Sequence, residues 1–99
     1  MRTIKKYVES IEEELEDAQR YAENYIEHKV RGDMSKANRY HEMAEDELKH
    51  AGYIHGFATE EIQNISKVYT APVEMQEKWE KEHKRFVEKT AWIRQMLVM

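Results

Sequence analysis

Residues 44–51 read Ala44-Glu45-Asp46-Glu47-Leu48-Lys49-His50-Ala51. Ala44, Leu48 and Ala51 recur at steps of four and three, which places them on one stripe of an α-helix. Extending the stripe outward adds Ala37 and Tyr40 before the segment and Ile54 after it. Stepping through Tyr40, Ala44, Glu47, Ala51 and Ile54 puts Glu47 on the apolar side as well. His50 follows one turn on, at i+3. A carboxylate on an apolar stripe costs several kcal/mol unless it is protonated, paired or metal-bound.

The helix that carries this segment starts at Met34. Just before it, Gly32 offers a C′ position for a preceding helix, and Asp33 or Ser35 offers a cap for the next one. A two-residue link forces the two helices into an antiparallel hairpin. The preceding helix spans 3–31, with Ile4, Tyr7, Ile11, Ala18, Tyr21 and Tyr25 on its stripe. Glu14 falls on that stripe between Ile11 and Ala18.

Downstream, Gly52 and Gly56 each weaken the second helix by about 1 kcal/mol relative to Ala, or allow close helix approach. Thr59-Glu60-Glu61 resembles a cap with an acidic first turn. The second helix therefore spans 34–57 or runs on to 66. Tyr69-Thr70-Ala71-Pro72 reads as a connection, with Pro72 in the first turn of a third helix over 71–97. The third stripe is Met75, Trp79, Phe86, Ile93 and Leu97, with His83 between Trp79 and Phe86. Trp92 falls off it, toward a partner chain.

The fold class is thus all-α, one domain over 1–99, with no repeat and no long linker. Composition agrees. One Pro and three Gly are too few for a turn-rich β-sandwich, and 17 of the 20 acidic residues are Glu, which suits helix interiors. The chain has no Cys, which excludes a disulfide scaffold, a thiolate metal site and a catalytic thiol. A net charge of −4 without a basic cluster argues against nucleic acid and anionic membrane as partners. The first sixteen residues are charged throughout, and no window is apolar enough to span a bilayer. The expectation is a soluble, cytoplasmic protein.

Glu14, Glu47 and His50 are the candidate metal ligands. Glu14 lies about 18 residues before the turn, roughly 27 Å along its helix; Glu47 and His50 lie about 14 and 17 residues after it, roughly 22 and 26 Å. All three fall within about one turn of the same level. Two carboxylates and an imidazole suit a transition metal. Glu-x-x-His alone is a weak signal in a Glu-rich chain, which also contains Glu80-Lys-Glu-His83. Glu80 and His83 are a lesser candidate pair of metal ligands; the alternative for His83 is a packing histidine on a helix that buttresses the dimer. The alternative for Glu14 and Glu47 is a solvated face; for His50 it is an interhelical hydrogen bond. Tyr21, Tyr25 and Tyr40 face the same interior, as core residues or as hydrogen-bond partners of the ligands.

Residues 44–51 resemble the Ala-Glu-x-Glu-x-x-His-Ala signature of a rubrerythrin second helix. Glu14-Leu15-Glu16-Asp17-Ala18-Gln19-Arg20-Tyr21 is similar to the Glu…Arg-Tyr of the first helix, and the Glu14 to Glu47 spacing matches. The resemblance, to the ferritin-like superfamily, covers roughly residues 11 to 54. It implies a carboxylate-bridged di-iron site, with manganese or zinc as other occupants: terminal Glu14, bridging Glu47 and terminal His50. A full family member has four long helices and two such ligand sets. This chain carries half. A homodimer, or a higher homo-oligomer, completes bundle and site together, as in the short encapsulated ferritins. His28, two heptads from Glu14 on the same face, marks an iron path or a polar helix end. Without Cys there is no rubredoxin centre, so rubrerythrin-type peroxidase activity is not implied.

The function the resemblance implies is Fe(II) oxidation, in iron handling or oxidative-stress defence. The rivals are a metal-free helical interaction or assembly module on the same scaffold, and a mononuclear structural site, for example zinc.

Overall fold

The computed structural model describes residues 2–68 and 70–99. Helix α1 spans Arg2–Val30, α2 Met34–Val68 and α3 Val73–Met96, and no strand occurs among the described residues. Tyr69, in the predicted connection, lies outside the described residues. No described helix is long and apolar enough to cross a membrane.

The α1–α2 turn is built from two residue types. Gly32 adopts φ +82°, in the left-handed region that favours glycine. Its N–H donates to the Lys29 carbonyl at 3.0 Å, and the Asp33 N–H donates to the His28 carbonyl at 2.9 Å. This pair of bonds is a Schellman ending, which satisfies two carbonyls that the last turn leaves over. Asp33 then opens α2: its Oδ1 accepts from the Lys36 N–H at 3.1 Å. Of the two candidate caps, Asp33 is the one that performs the role.

Helix α2 does not break near Phe57. It runs through Gly52, Gly56 and Thr59 as one 35-residue helix. The Thr59 hydroxyl donates to the His55 carbonyl at 2.9 Å, a bond within a continuing helix rather than a cap. Burial explains the continuation. Ile65 joins Ile4, Ala71 and Met75 in a small cluster at the far end of the molecule, which offsets the local cost of glycine. Nothing lies within 4 Å of a Cβ built on Gly52 or Gly56, so these glycines serve no close approach within the chain.

Helix α3 begins at Val73 rather than residue 71. Pro72 is its N-cap, and its carbonyl accepts from the Met75 and Gln76 N–H groups at 3.0 and 3.1 Å. The last turn closes at Leu97, whose N–H donates to the Ile93 carbonyl at 3.1 Å.

The main core joins all three helices through Ile11, Leu15, Leu48, Ile93, Met96 and Leu97, with a set of alanines between α1 and α2. Ala37, Ala44, Ala51 and Ala58 recur every seven residues on α2 and have no exposed surface; Ala18 and Ala22 on α1 are equally buried. Small side chains let two helix backbones pack closely over a long seam. On α3 the buried stripe passes through Glu82, with His83 exposed. Met75, Trp79, Glu82 and Phe86 follow four-three-four spacing, and His83 falls about 70° off its centre. The molecule is a rod of 56 × 17 × 16 Å with a radius of gyration of 16.1 Å, against about 13 Å for a compact chain of this length.

Candidate metal centre

Glu14 neighbours the fully buried Leu15 on α1, and Glu47 neighbours the buried Leu48 on α2. Packing of those two leucines holds the carboxylates at the margin of the seam. His50 lies one turn beyond Glu47. Each of the three offers one ligand atom, and these atoms lie within 4.8 Å of one another. The Nδ1 atom of His50 is 3.6 Å from Glu14 Oε2 and 3.8 Å from Glu47 Oε1. The carboxylate side chains are 27% and 19% exposed, and the imidazole is 54% exposed. The acids therefore sit in the groove with the histidine at its mouth.

Charge is the informative feature. Some acids along the hairpin have a cation: Arg85 lies 3.5 Å from Glu12, Arg20 3.0 Å from Asp17, Arg31 2.7 Å from Glu27. Among the described residues no Lys or Arg pairs with Glu14 or Glu47; His50 is their one potential counter-charge, and only when protonated. Two carboxylates held together without a fixed cation repel at neutral pH. A bound cation removes that repulsion. With metal–ligand bonds of about 2.1 Å, neighbouring donors stand roughly 3.0–3.4 Å apart. The spacings of 3.6 and 3.8 Å are a few tenths of an ångström wider, and the whole set lies within 4.8 Å, so the side chains hold a transition metal only after moving inward.

The site opens on the face of the hairpin turned away from α3. Glu12, which meets Arg85 of α3, lies two residues and about 200° from Glu14 around the α1 axis. His55, which meets α3 through Trp79 and Phe86, lies about 140° from His50 around α2. Glu80 and His83 accordingly do not join the group. Both are exposed, and His83 instead faces His55, with Nδ1 2.8 Å from His55 Nε2.

The three tyrosines cluster toward the turn. Tyr21 and Tyr40 pack with ring centroids 6.3 Å apart, and Tyr40 stacks on His28 at 5.4 Å. Tyr25 meets His41 edge-on at 5.0 Å, and its hydroxyl donates to the Met99 carbonyl at 3.3 Å. Their aromatic and hydrogen-bonding partners lie with one another and with the C-terminal turn.

Three features escaped the reading of the sequence. Glu82 is 5% exposed, and its Oε1 has no hydrogen-bond partner. Burial, then the charge of Glu12 and a hydrogen bond to it, push the Glu82 carboxyl up to about 7, while Arg85 and Lys89 pull it down. The stripe spacing 75–79–82–86 is the signal that identifies it. His41 bridges elements: Nε2 pairs with the Leu97 carbonyl at 2.9 Å and Nδ1 with Glu45 at 2.6 Å. Finally, a cleft of about 810 Å³ separates the N-terminal half of α3 from α1, walled by Ile4, Val8, Met75 and Trp79.

Comparison with protein families, curated proteins and solved structures finds no match.

Proposed function

We propose that this chain is half of a ferritin-like di-iron protein. Two copies pair across the open face of the α1–α2 hairpin, and Glu14, Glu47 and His50 of each copy supply the ligands. The observation that carries the reading is the convergence of these three side chains on one level, without a fixed cation beside them. One copy brings two carboxylates and one imidazole; a two-fold axis doubles that to the set a dinuclear site needs. Tyr53 and Phe57 are more than half exposed on α2 beyond His50, and they give the pairing face apolar surface to bury.

Iron is the substrate in this reading: each Fe(II) gives up one electron, and O₂ accepts. Manganese and zinc fit the same donors. Glu14 and Glu47 hold the cation and lower its charge, and the partly buried seam limits water around it. His50, at the mouth, supplies a neutral donor and faces incoming ions. The setting we propose is cytoplasmic iron handling or oxidative-stress defence.

The test is iron stoichiometry with oxidation. Metal-free protein takes up Fe(II) anaerobically, O₂ is admitted, and Fe(III) absorbance is followed in the near ultraviolet. The expected result is one iron per chain, two per dimer, oxidised rapidly in the parent and not in Glu47→Ala. Oxidation no faster than in buffer, or unchanged by the substitution, overturns it.

The second reading is a metal-free interaction module. The exposure of Tyr53, Phe57 and Trp92, each at least half accessible, favours it, because apolar surface of this kind suits a protein partner. A parent protein that binds no iron selects this reading.

A further inference from the structure

We propose that the cleft between α1 and the N-terminal half of α3 binds a small amphipathic amine, with its apolar chain along Ile4, Val8, Met75 and Trp79 and its ammonium group on Glu82 and Glu12. This site is separate from Glu14, Glu47 and His50.

A buried acid carries the inference. Glu82 is 5% exposed and forms part of the cleft wall. Its neighbours along the α3 stripe, Met75, Trp79 and Phe86, are apolar, so packing alone calls for no carboxyl here. Glu82 shares a hydrogen bond with Glu12, yet its Oε1 has no partner. A buried acceptor without a donor forfeits a hydrogen bond that a ligand can supply. Oε1 is covered by its neighbours; rotation about the terminal Glu82 bond, a soft torsion, presents it to the cleft.

The ligand group must be a donor. Glu82 and Glu12 are both carboxyls, so a ligand carboxylate or phosphate meets only acceptors and like charge. A primary ammonium has three N–H donors and no acceptor. One donates to Glu82 Oε1, a second to the Glu12 carboxylate, and the third to water. Arg85, 3.5 Å from Glu12, has a half-exposed side chain. An ion pair of that exposure is weak, and the arginine yields its place at little cost.

The cleft supplies the rest. Its volume of about 810 Å³ is that of a small-molecule pocket. Ile4 and Met75 are buried, and Val8 and Trp79 are half-buried, so a short alkyl chain leaves water along them. Lys5, Lys78 and Lys81 also border the cleft, but all three are exposed, where solvent and salt screen them. An anionic amphiphile held by these lysines is the competing occupant.

The experiment uses the full chain with Trp92→Phe, which leaves Trp79 as the remaining tryptophan. n-Octylammonium chloride, sodium octanoate and n-octanol are titrated separately at neutral pH while Trp79 emission is followed; calorimetry on the parent gives the stoichiometry. The expected result is saturable binding of one octylammonium per chain, about tenfold or more tighter than octanoate or octanol. Glu82→Met replaces the buried acid with an apolar side chain of similar length. It weakens octylammonium binding by about tenfold or more. Val8→Phe narrows the cleft and weakens that binding severalfold, whereas the double variant Glu14→Gln, Glu47→Gln binds as the parent does. Circular dichroism confirms that the variants are folded; should Glu82→Met not fold, the ranking of the three ligands by the parent decides. Absence of saturable binding, octanoate or octanol binding as tightly as octylammonium, or an affinity unchanged in folded Glu82→Met overturns the proposal.

Discussion

Glu12 and Glu14 stand two residues apart on α1 and look in opposite directions. Glu12 meets Arg85 of α3 at 3.5 Å, and Glu14 meets His50 of α2 at 3.6 Å. One short stretch of helix thus serves two different environments. The Glu12 side faces an acid that is already buried; the Glu14 side faces an open groove.

The groove gives the first prediction. In metal-free protein at neutral pH, Glu47→Gln removes one of two repelling charges. We expect unfolding stability to stay level or to rise by about 0.5–1 kcal/mol, with the gain shrinking at high salt. Urea unfolding at two ionic strengths checks this. A clear loss of stability would mean that the carboxylate is held by attraction rather than tolerated.

The second concerns pH. In the folded chain Glu82 keeps its proton up to about 7, against about 4.3 unfolded. The folded state binds that proton more tightly, so the stability it contributes is complete below the unfolded value and is lost as pH rises toward 7. The complete loss amounts to about 3–4 kcal/mol. Glu82→Gln is close in shape and cannot ionise. Urea midpoints from pH 5 to 8 should fall for the parent and hold for the variant, which overtakes it by pH 8.

Gly52 and Gly56 offer a third. Both lie inside α2 with open space where a Cβ would stand. Alanine at either position should stabilise the chain by about 0.5–1 kcal/mol, read as a rise in melting temperature. No gain would point to a surface that needs the missing methyl.

Fourth, Ile93 is fully buried on α3. Its packing brings the C-terminal half of that helix onto the hairpin. Ile93→Ala should cost about 2–4 kcal/mol by calorimetry or urea unfolding. Loss of helical signal confined to one third of the chain would instead show that α3 detaches alone.

The hairpin was legible in the sequence for a physical reason. Three- and four-residue spacing marks each buried stripe, and Gly32-Asp33 leaves the chain one way to turn. Counting residues from that turn therefore placed Glu14, Glu47 and His50 on one level. The end of α2 was less legible, because glycine penalises a helix locally while Ile65 repays it through contacts with Ile4 and Met75, distant in sequence. The azimuth of α3 was not legible at all. A longer connection leads into it, and no tight turn sets which of its sides meets the hairpin. Glu82 was consequently overlooked on the buried side, and the partner of His83 proved to be His55.

The alanine seam bears on how exact the metal groove is. Methyl groups repeating every seven residues let α1 and α2 run close together, with Ile11, Leu15, Tyr25 and Leu48 interlocking between them. Alignment of the two carboxylates is set both by those side chains and by the turn roughly 27 Å away at 1.5 Å per residue. The hairpin acts as a pair of calipers whose jaw opening is set along the arms as well as at the pivot. One residue added within α2 between Ala37 and Ala44 would advance Glu47 by about 1.5 Å and rotate it by about 100° relative to the start of the helix, dispersing the ligands without touching any of them.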